Sequence, residues 1–473
     1  MLPRIPKIPA LRTMCNLSPS SPKLGAVLPA LSLTCACLLA CQSYQPEPLD
    51  APSHLAAWRD RTPADDQVSA FARQLATQSS KPAPFNPSDG LTLAEAELVA
   101  LVFNPDLRLA RLRAGVARAT AEHAGRWDDP ELEIDLLKVA ESIPNPWLLS
   151  TSISLTVPLS GRLGVERSRA EASLQAGLAS AAEAEWQAVR DLRAAWLTWS
   201  ANHLRLLETE HIVTTLDSVT AAARGLAESG ELLRTEADLF TLEQETRRAE
   251  LAGLRGRLHE GEQEIRALMG ISPQAPARLL PALTPHLDTS LQQPLDDANP
   301  TLVLLKTEYE LAELTLQREI RRQVPDIGLG PQLENDQGQS RIGLVGGLPL
   351  PILNANKGGI ATASAERELA RAAFETGLER VEGRLAALRH RLEGARASRT
   401  AIEARVVPLV DRQLAEARSL LELGEGSSLV LLESISRAHQ TKLDLIGARL
   451  DESITKNEIR HLLGLDRFPA FLP

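Results

Sequence analysis

The chain repeats itself. EIRALMG, Glu264–Gly270, returns as EIRHLLG, Glu458–Gly464, after 194 residues; Gly230-Glu231 returns as Gly424-Glu425 at the same distance, and Asn104-Pro105 as Asn299-Pro300 after 195. Three anchors at nearly one spacing across most of the sequence mean an internal duplication. Whatever one half folds into, the other half folds into as well, and the two must share one molecule.

The order of elements within each half follows from changes of period. Thr92-Leu-Ala-Glu95 is a capping-box signature, a hydroxyl and a carboxylate three residues apart, so a helix is expected from there to about Gly125. Residues then alternate in ELEIDLL, Glu131–Leu137, and in STSISLTV, Ser150–Val157, with Ile153, Leu155 and Val157 on one face and Ser152, Ser154 and Thr156 on the other. No proline falls between Pro158 and Pro273, and within that run Val189, Leu192, Trp196, Trp199, His203 and Leu206 recur at spacings of three and four, a narrow apolar seam. His203, on that seam, reads as a packed core histidine rather than a ligand. A helix break is expected near Ala227–Glu231 and a helix stop at Gly270, followed by Pro273.

The second half gives a helix to about Arg322, strands near Asp326–Gly330 and Arg341–Leu348, and a long helix with the seam Phe374, Leu378, Val381, Leu385, Leu388 and Leu392. Pro408 inside that helix predicts a kink, not a stop. GLVGGLP, Gly343–Pro349, has no phosphate-binding pattern and reads as a turn leaving a strand. Each half is thus helix, strand, strand, long helix, helix, and the fold class is mainly α with a small β part.

Composition supports the long helices: 44% of the 473 residues are hydrophobic but only 3% aromatic, and Ala, Leu, Glu and Arg fill the long runs. The net charge of −10 understates the body's acidity, because Arg4, Lys7, Arg12 and Lys23 lie in a leader without acidic residues. An acidic body without a basic stripe argues against nucleic-acid binding. All four cysteines, Cys15, Cys35, Cys37 and Cys41, fall in the first 41 residues, so the body has no disulfide, thiolate nucleophile or cysteine metal site.

That leader reads as a secretory signal. Its apolar run, Leu24–Ala40, is short for a membrane span and interrupted by Pro29. The sequence Leu38-Leu39-Ala40-Cys41 resembles the lipobox of bacterial lipoproteins, in which cleavage precedes a cysteine that receives lipid; the alternative is cleavage at small residues with Cys41 incidental. Gln42 in place of aspartate resembles lipoproteins sent to the outer membrane, and Met14 offers a second start. The expected divisions are a signal peptide (1–40), a lipid-anchored tether (41–90) with one short helix near Asp66–Ala76, a first repeat (91–272), a linker (273–295), a second repeat (296–466) and a tail (467–473).

Physical requirements narrow the use of this unit. A helix of roughly 60 residues is on the order of 90 Å long, so each half builds a rod. Four strands with one apolar face suit a bilayer, but four strands cannot close, and an open edge in lipid leaves backbone groups unpaired. Several copies must close the sheet; three would supply a barrel of 12 strands continued by a tube of helices. Trp127, before the first strand, and Trp147, in the connection after it, stand where interfacial aromatics anchor a barrel; the alternative for both is ordinary packing.

This order resembles the outer-membrane efflux proteins, TolC-like, and among them the lipoprotein branch that partners resistance-nodulation-division pumps. The resemblance spans about residues 90–466 and rests on the duplication, on PLSGRLGVERSRAEAS (Pro158–Ser173), on PLPILNANKGGIATASAEREL (Pro349–Leu369), and on the ELGEGSSLVLLES turn with its closing HLLG. It implies a homotrimer, a β-barrel in the outer membrane of a Gram-negative bacterium continued by an α-helical barrel in the periplasm. It also implies a passive conduit for solutes, metal ions or drugs, working with a periplasmic adaptor protein and an inner-membrane pump. The hairpin turns at Gly230, Glu231, Gly424 and Glu425 are then candidate adaptor contacts. In the family, acidic residues soon after the second glycine turn ring the periplasmic constriction. Glu433 matches one such position, Val430 does not match the other, and Gly426 stands where some members carry a latching arginine.

No catalytic motif is found: no phosphate-binding Gly-Lys-Ser/Thr loop, no His-Glu-x-x-His and no Gly-x-Ser-x-Gly elbow, while the nine histidines are scattered. No enzyme, cofactor or metal site is expected. Two rivals remain at this stage. A periplasmic adaptor would carry one hairpin between β-rich domains rather than two matched hairpins, and a structural coiled-coil lipoprotein has no use for the alternating strand at Ser152–Val157.

Overall fold

The computed structural model describes residues 44–78, 85–140, 143–144, 146–283, 291, 294–295, 299–336, 339–423 and 425–465. They fall into two compact units, 1–55 and 56–473. In the first, residues 44–50 have no regular structure; helix α1 (Ala51–Arg59), which runs across the boundary, has its opening turn tied by Asp50 Oδ1 accepting from Ser53 N at 3.0 Å. The residues expected to form the signal peptide (1–40), Cys41, Gly424 and the expected tail (467–473) lie outside the described residues.

The second unit carries the duplication. Its first half contains α2 (Asp66–Gln78), α3 (Leu93–Phe103), α4 (Pro105–His123), strands β1 (Glu131–Lys138) and β2 (Trp147–Val157), then α5 (Arg162–Ser229) and α6 (Arg234–Met269). Its second half contains α7 (Pro300–Arg321), β3 (Ile327–Asp336), β4 (Gln339–Gly347), α8 (Lys357–Ala401), a π-helical turn (Ile402–Val406), α9 (Val407–Glu422) and α10 (Ser428–Leu463).

The helix expected from Thr92 to Gly125 is two helices. Thr92 and Glu95 do form the reciprocal capping box, with Glu95 Oε2 accepting from Thr92 N at 2.9 Å. Pro105 then has no N–H to continue the ladder and is tolerated only in a first turn. Asn104 ends α3 and caps α4, its Oδ1 accepting from Asp106 N and Leu107 N at 3.0 and 3.1 Å.

Helix α5 runs 68 residues, about 100 Å at the ordinary rise, because nothing between Pro158 and Gly230 interrupts it. On its seam Val189, Leu192, Trp196 and Trp199 are buried; His203 is only half-buried, 5.8 Å from the Trp199 ring. Val99 and Phe103 of α3 and Ile265 and Met269 of α6 close over that seam. Two buried ion pairs fasten the same layer: Arg193 to Glu97 at 2.6 Å and Arg111 to Glu185 at 2.7 Å. Burial pushes the Glu185 carboxyl up, although Arg111 pulls it the other way. Val68 and Phe71 of α2 are buried in these clusters, so this part of the expected tether is a packed helix.

In the second half Leu385, Leu388 and Leu392 of α8 pack on Ile459 and Leu463 of α10, whereas Leu378 is exposed. The halves meet where Ile212 and Leu216 of α5 pack on Ala417 of α9 and Leu431 and Ile435 of α10. Pro408 does not stop the long helix. The chain passes it through the π-turn, in which Val407 N donates to Ile402 O, five residues back as π geometry requires.

The sheet has the antiparallel order β1-β2-β3-β4, so the two hairpins join through β2 and β3. Three expectations shift here. Trp147 is the first residue of β2 rather than part of the connection. Strand β3 runs to Asp336, well past Gly330, although Pro331 interrupts its pairing with β2. Gly343, Gly346 and Gly347 lie within β4 instead of forming a turn.

Candidate functional site

The sheet has two unlike faces, set by its register. Glu131, Glu133 and Asp135 stand opposite Ser154, Ser152 and Ser150; Gln332 and Glu334 oppose Ser152 and Ser150 from the other side, and Arg341 opposes Glu334. Ser150 and Ser152 are buried, and Gln332 Nε2 donates to Ser150 Oγ at 2.9 Å. On the opposite face Leu132 pairs with Ile153, Leu136 with Leu149, Leu155 with Leu329 and Leu333 with Ile342, and all of these except Leu155 are well exposed. A chain that covers its serines and bares its leucines is inverted relative to a sheet in water. Such a face is stable against hydrocarbon. Trp147, at the start of β2, and Trp127, four residues before β1, are both exposed, with Lys138 Nζ 5.6 Å from the Trp147 ring centroid.

The edges of the sheet are open in one chain, since β1 pairs only with β2 and β4 only with β3. Among the described residues no helix is long and apolar enough to cross a membrane, and no cluster of three or more His, Cys, Asp or Glu side chains is arranged to hold a metal ion.

At the far ends of the long helices the two hairpin turns share one backbone hydrogen bond. Gly230 ends α5 in the left-handed region at φ 82°, and Glu231 N donates to Leu226 O at 2.8 Å. Glu425 N donates to Leu420 O at 3.0 Å, the same bond 194 residues on. Ser428 Oγ donates to Glu236 Oε2 at 2.5 Å, which joins the start of α10 to the start of α6 and sets the turns side by side. Glu231 and Glu425 are both exposed.

Glu433 is exposed on α10 and accepts from Arg437 at 2.7 Å, one helical turn on. The side chains of Val430, Glu433 and Arg437 form one exposed strip, opposite the buried Leu431, Ile435 and Ala438. At Gly426 an added Cβ would lie 2.5 Å from Leu421 N, so no arginine fits that position without moving the turn. The site residues expected from sequence therefore stand apart, Glu433 near the hairpin turns and the apolar strands at the opposite ends of the long helices.

Sequence reading missed the devices that make the repeat work. Asn104 Nδ2 donates to Leu268 O at 2.8 Å, and Asn299 Nδ2 donates to Leu462 O at 2.7 Å. Leu268 and Leu462 belong to EIRALMG and EIRHLLG, so each Asn-Pro ties the start of a strand-bearing helix to the end of its half's closing helix. The signal was present as two recurring motifs; that they bond each other shows only in three dimensions.

No known family's sequence profile matches the chain, and no curated protein matches it in sequence. Solved structures do. VceC, the outer membrane protein of Vibrio cholerae, superposes with a TM-score of 0.67 at 16% identity over 79% of this chain and 96% of that one. CusC, whose structures describe transmembrane channel formation, gives 0.67 at 15% identity over 90% and 99%. The CmeC outer membrane channel of Campylobacter jejuni gives 0.63 at 12% identity over 90% and 94%. By its duplicated helices, its four-stranded sheet and these superpositions, the chain has the fold of the TolC-like outer-membrane efflux proteins.

Proposed function

We propose that the chain is the outer-membrane channel of a tripartite efflux system, a passive conduit that receives solutes from an inner-membrane pump and a periplasmic adaptor. The observation that carries this is the inverted sheet: leucines bare, serines covered, both edges open. Three copies close the edges into one barrel, with the serine and carboxylate face toward a water-filled lumen. Cys41 carries the lipid anchor, the two repeats follow the divisions expected from sequence with the Asp66–Gln78 helix of the tether packed onto the first, and Gly230, Glu231, Gly424 and Glu425 present the hairpin turns to the adaptor.

Glu433 supplies a carboxylate ring at the narrow end of the tube. An exposed i,i+4 pair is weak, so Arg437 tempers the ring without silencing it. In planar bilayers the full chain should conduct with a preference for cations that fades as salt shortens the screening length from about 10 Å at 0.1 M. Glu433→Gln should lower that preference and Arg437→Gln should raise it, both with assembly intact. Absence of conductance rejects the channel, and conductance unchanged by either variant leaves the Glu433 strip facing solvent elsewhere.

A further inference from the structure

The two repeats differ at one place where the duplication predicts likeness. Between β2 and α5 the connection is four residues, Pro158–Gly161; between β4 and α8 it is nine, 348–356. The longer connection is LPLPILNAN, in which Leu350, Ile352 and Leu353 are 67, 81 and 93% exposed. They follow directly on β4, whose Ile342 and Leu344 are 86 and 85% exposed. No charged residue occurs from Ile342 to Asn356, and Lys357 then follows, itself exposed.

Pro349 and Pro351 have no N–H to desolvate, and Ile352 N donates to Leu350 O at 2.9 Å; the other backbone donors of the loop suit the hydrated headgroup boundary rather than the hydrocarbon interior. The loop is also held in place. Asn356, at φ 55°, donates from Nδ2 to both the main-chain O and Oε2 of Glu319 at 2.8 Å, and Glu319 in turn holds Arg318 and Arg322. Exposed apolar side chains are thus followed in the chain by Lys357, on a loop anchored to Glu319 and through it to Arg322, an apolar-then-cationic order that suits the boundary between acyl chains and phosphate headgroups.

We propose that Leu350, Ile352 and Leu353 form a membrane-dipping strap, seated among the acyl chains of the leaflet nearest the helical part of the molecule. The strap rests on the membrane reading of the sheet given above, and its occupant is lipid, not a second copy of the chain. It fixes the depth of the barrel from one repeat only, since the first repeat offers Leu159 alone at the matching place.

The test uses the full-length chain in phospholipid vesicles with an environment-sensitive thiol probe on Ile352→Cys or, separately, on Leu344→Cys. All native cysteines lie in the first 41 residues, so the unsubstituted chain, labelled in parallel, serves as the blank. The expected result is that the probe at 352 is quenched by lipids brominated near the headgroup end of the chain, to the same fractional extent as the probe at 344 by lipids brominated deeper, and that aqueous iodide quenches neither. If 344 is quenched by bromolipid while 352 answers to iodide, the strap lies in water and the proposal fails. If 344 is quenched by bromolipid while 352 is shielded from both quenchers, protein covers it and the proposal fails again. Bromolipid quenching at neither position overturns the strap together with the membrane reading of the sheet.

Discussion

Gly270→Ala should be among the most damaging single substitutions in this chain, while Gly230→Ala should be mild. Both glycines end a helix in the left-handed region, at φ 73° and 82°, so both variants carry the backbone cost of alanine there, about 1–2 kcal/mol. Their surroundings differ. At Gly230 an added Cβ meets nothing within 4 Å, whereas at Gly270 it would lie 2.0 Å from Phe103 O and 2.4 Å from Phe103 C. Those are backbone atoms at the α3–α4 junction and cannot rotate away. Relief would require the end of α6 to leave the cluster that holds Met269, Ile271 and Trp196. A loss above about 4 kcal/mol is expected at Gly270, the range reserved for overpacking and strain combined. Thermal midpoints followed by tryptophan fluorescence should fall steeply for Gly270→Ala and by less than half as much for Gly230→Ala; equal shifts would mean that the close approach to Phe103 is not there.

The second large effect belongs to the paired asparagines. Asn104 and Asn299 are 4 and 2% exposed, cap α4 and α7 through Oδ1, and satisfy through Nδ2 a last-turn carbonyl that its own helix leaves without a partner. Replacing either by alanine removes a cap worth about 1 kcal/mol and strands a buried carbonyl at a cost of about 1–3 kcal/mol. Aspartate separates the two roles. Asn104→Asp and Asn299→Asp keep the capping oxygen but lose the donor, and they set a carboxylate against the negative end of α6 or α10. Both should therefore be at least as harmful as alanine. Unfolding midpoints that drop together at the two positions would show one device used twice, while recovery by aspartate would reduce both residues to ordinary caps.

These two sites also show what the sequence could and could not reveal. Periods of 3.6 and 2 located the long helices and both hairpins, because burying an apolar seam and exposing an apolar sheet face each leave a one-dimensional trace. The break at Asn104 left no such trace, since apolar residues continue through Leu98–Phe103 up to Pro105 and proline is also at home in a first turn. Strand β2 began earlier than alternation indicated because Trp147, Leu148 and Leu149 form an unbroken apolar run. Strand β3 ran longer because Pro331 is tolerated in its interior, and the glycines of β4 were absorbed into a strand whose outer edge has no neighbour in one chain. At the hairpin end the recurring Gly-Glu located both turns. The Glu433–Arg437 spacing was visible in the sequence, but the packing of Gly426 against residues 420–421 depends on backbone positions that no pattern encodes.

The channel reading requires that other copies of the same chain close the free edges of β1 and β4. Strand β1 is exposed along its whole length and β4 at all but one residue, and an unpaired row of backbone donors and acceptors cannot remain open inside hydrocarbon. In the proposed barrel β4 of one copy pairs with β1 of the next, a head-to-tail contact that leaves no edge open when it closes as a ring. The mass of the folded particle, measured in mild detergent on the full-length chain, tests this directly. The expected result is a single species of three copies that retains its strand signal; a stable folded monomer with its sheet intact would rule out the barrel.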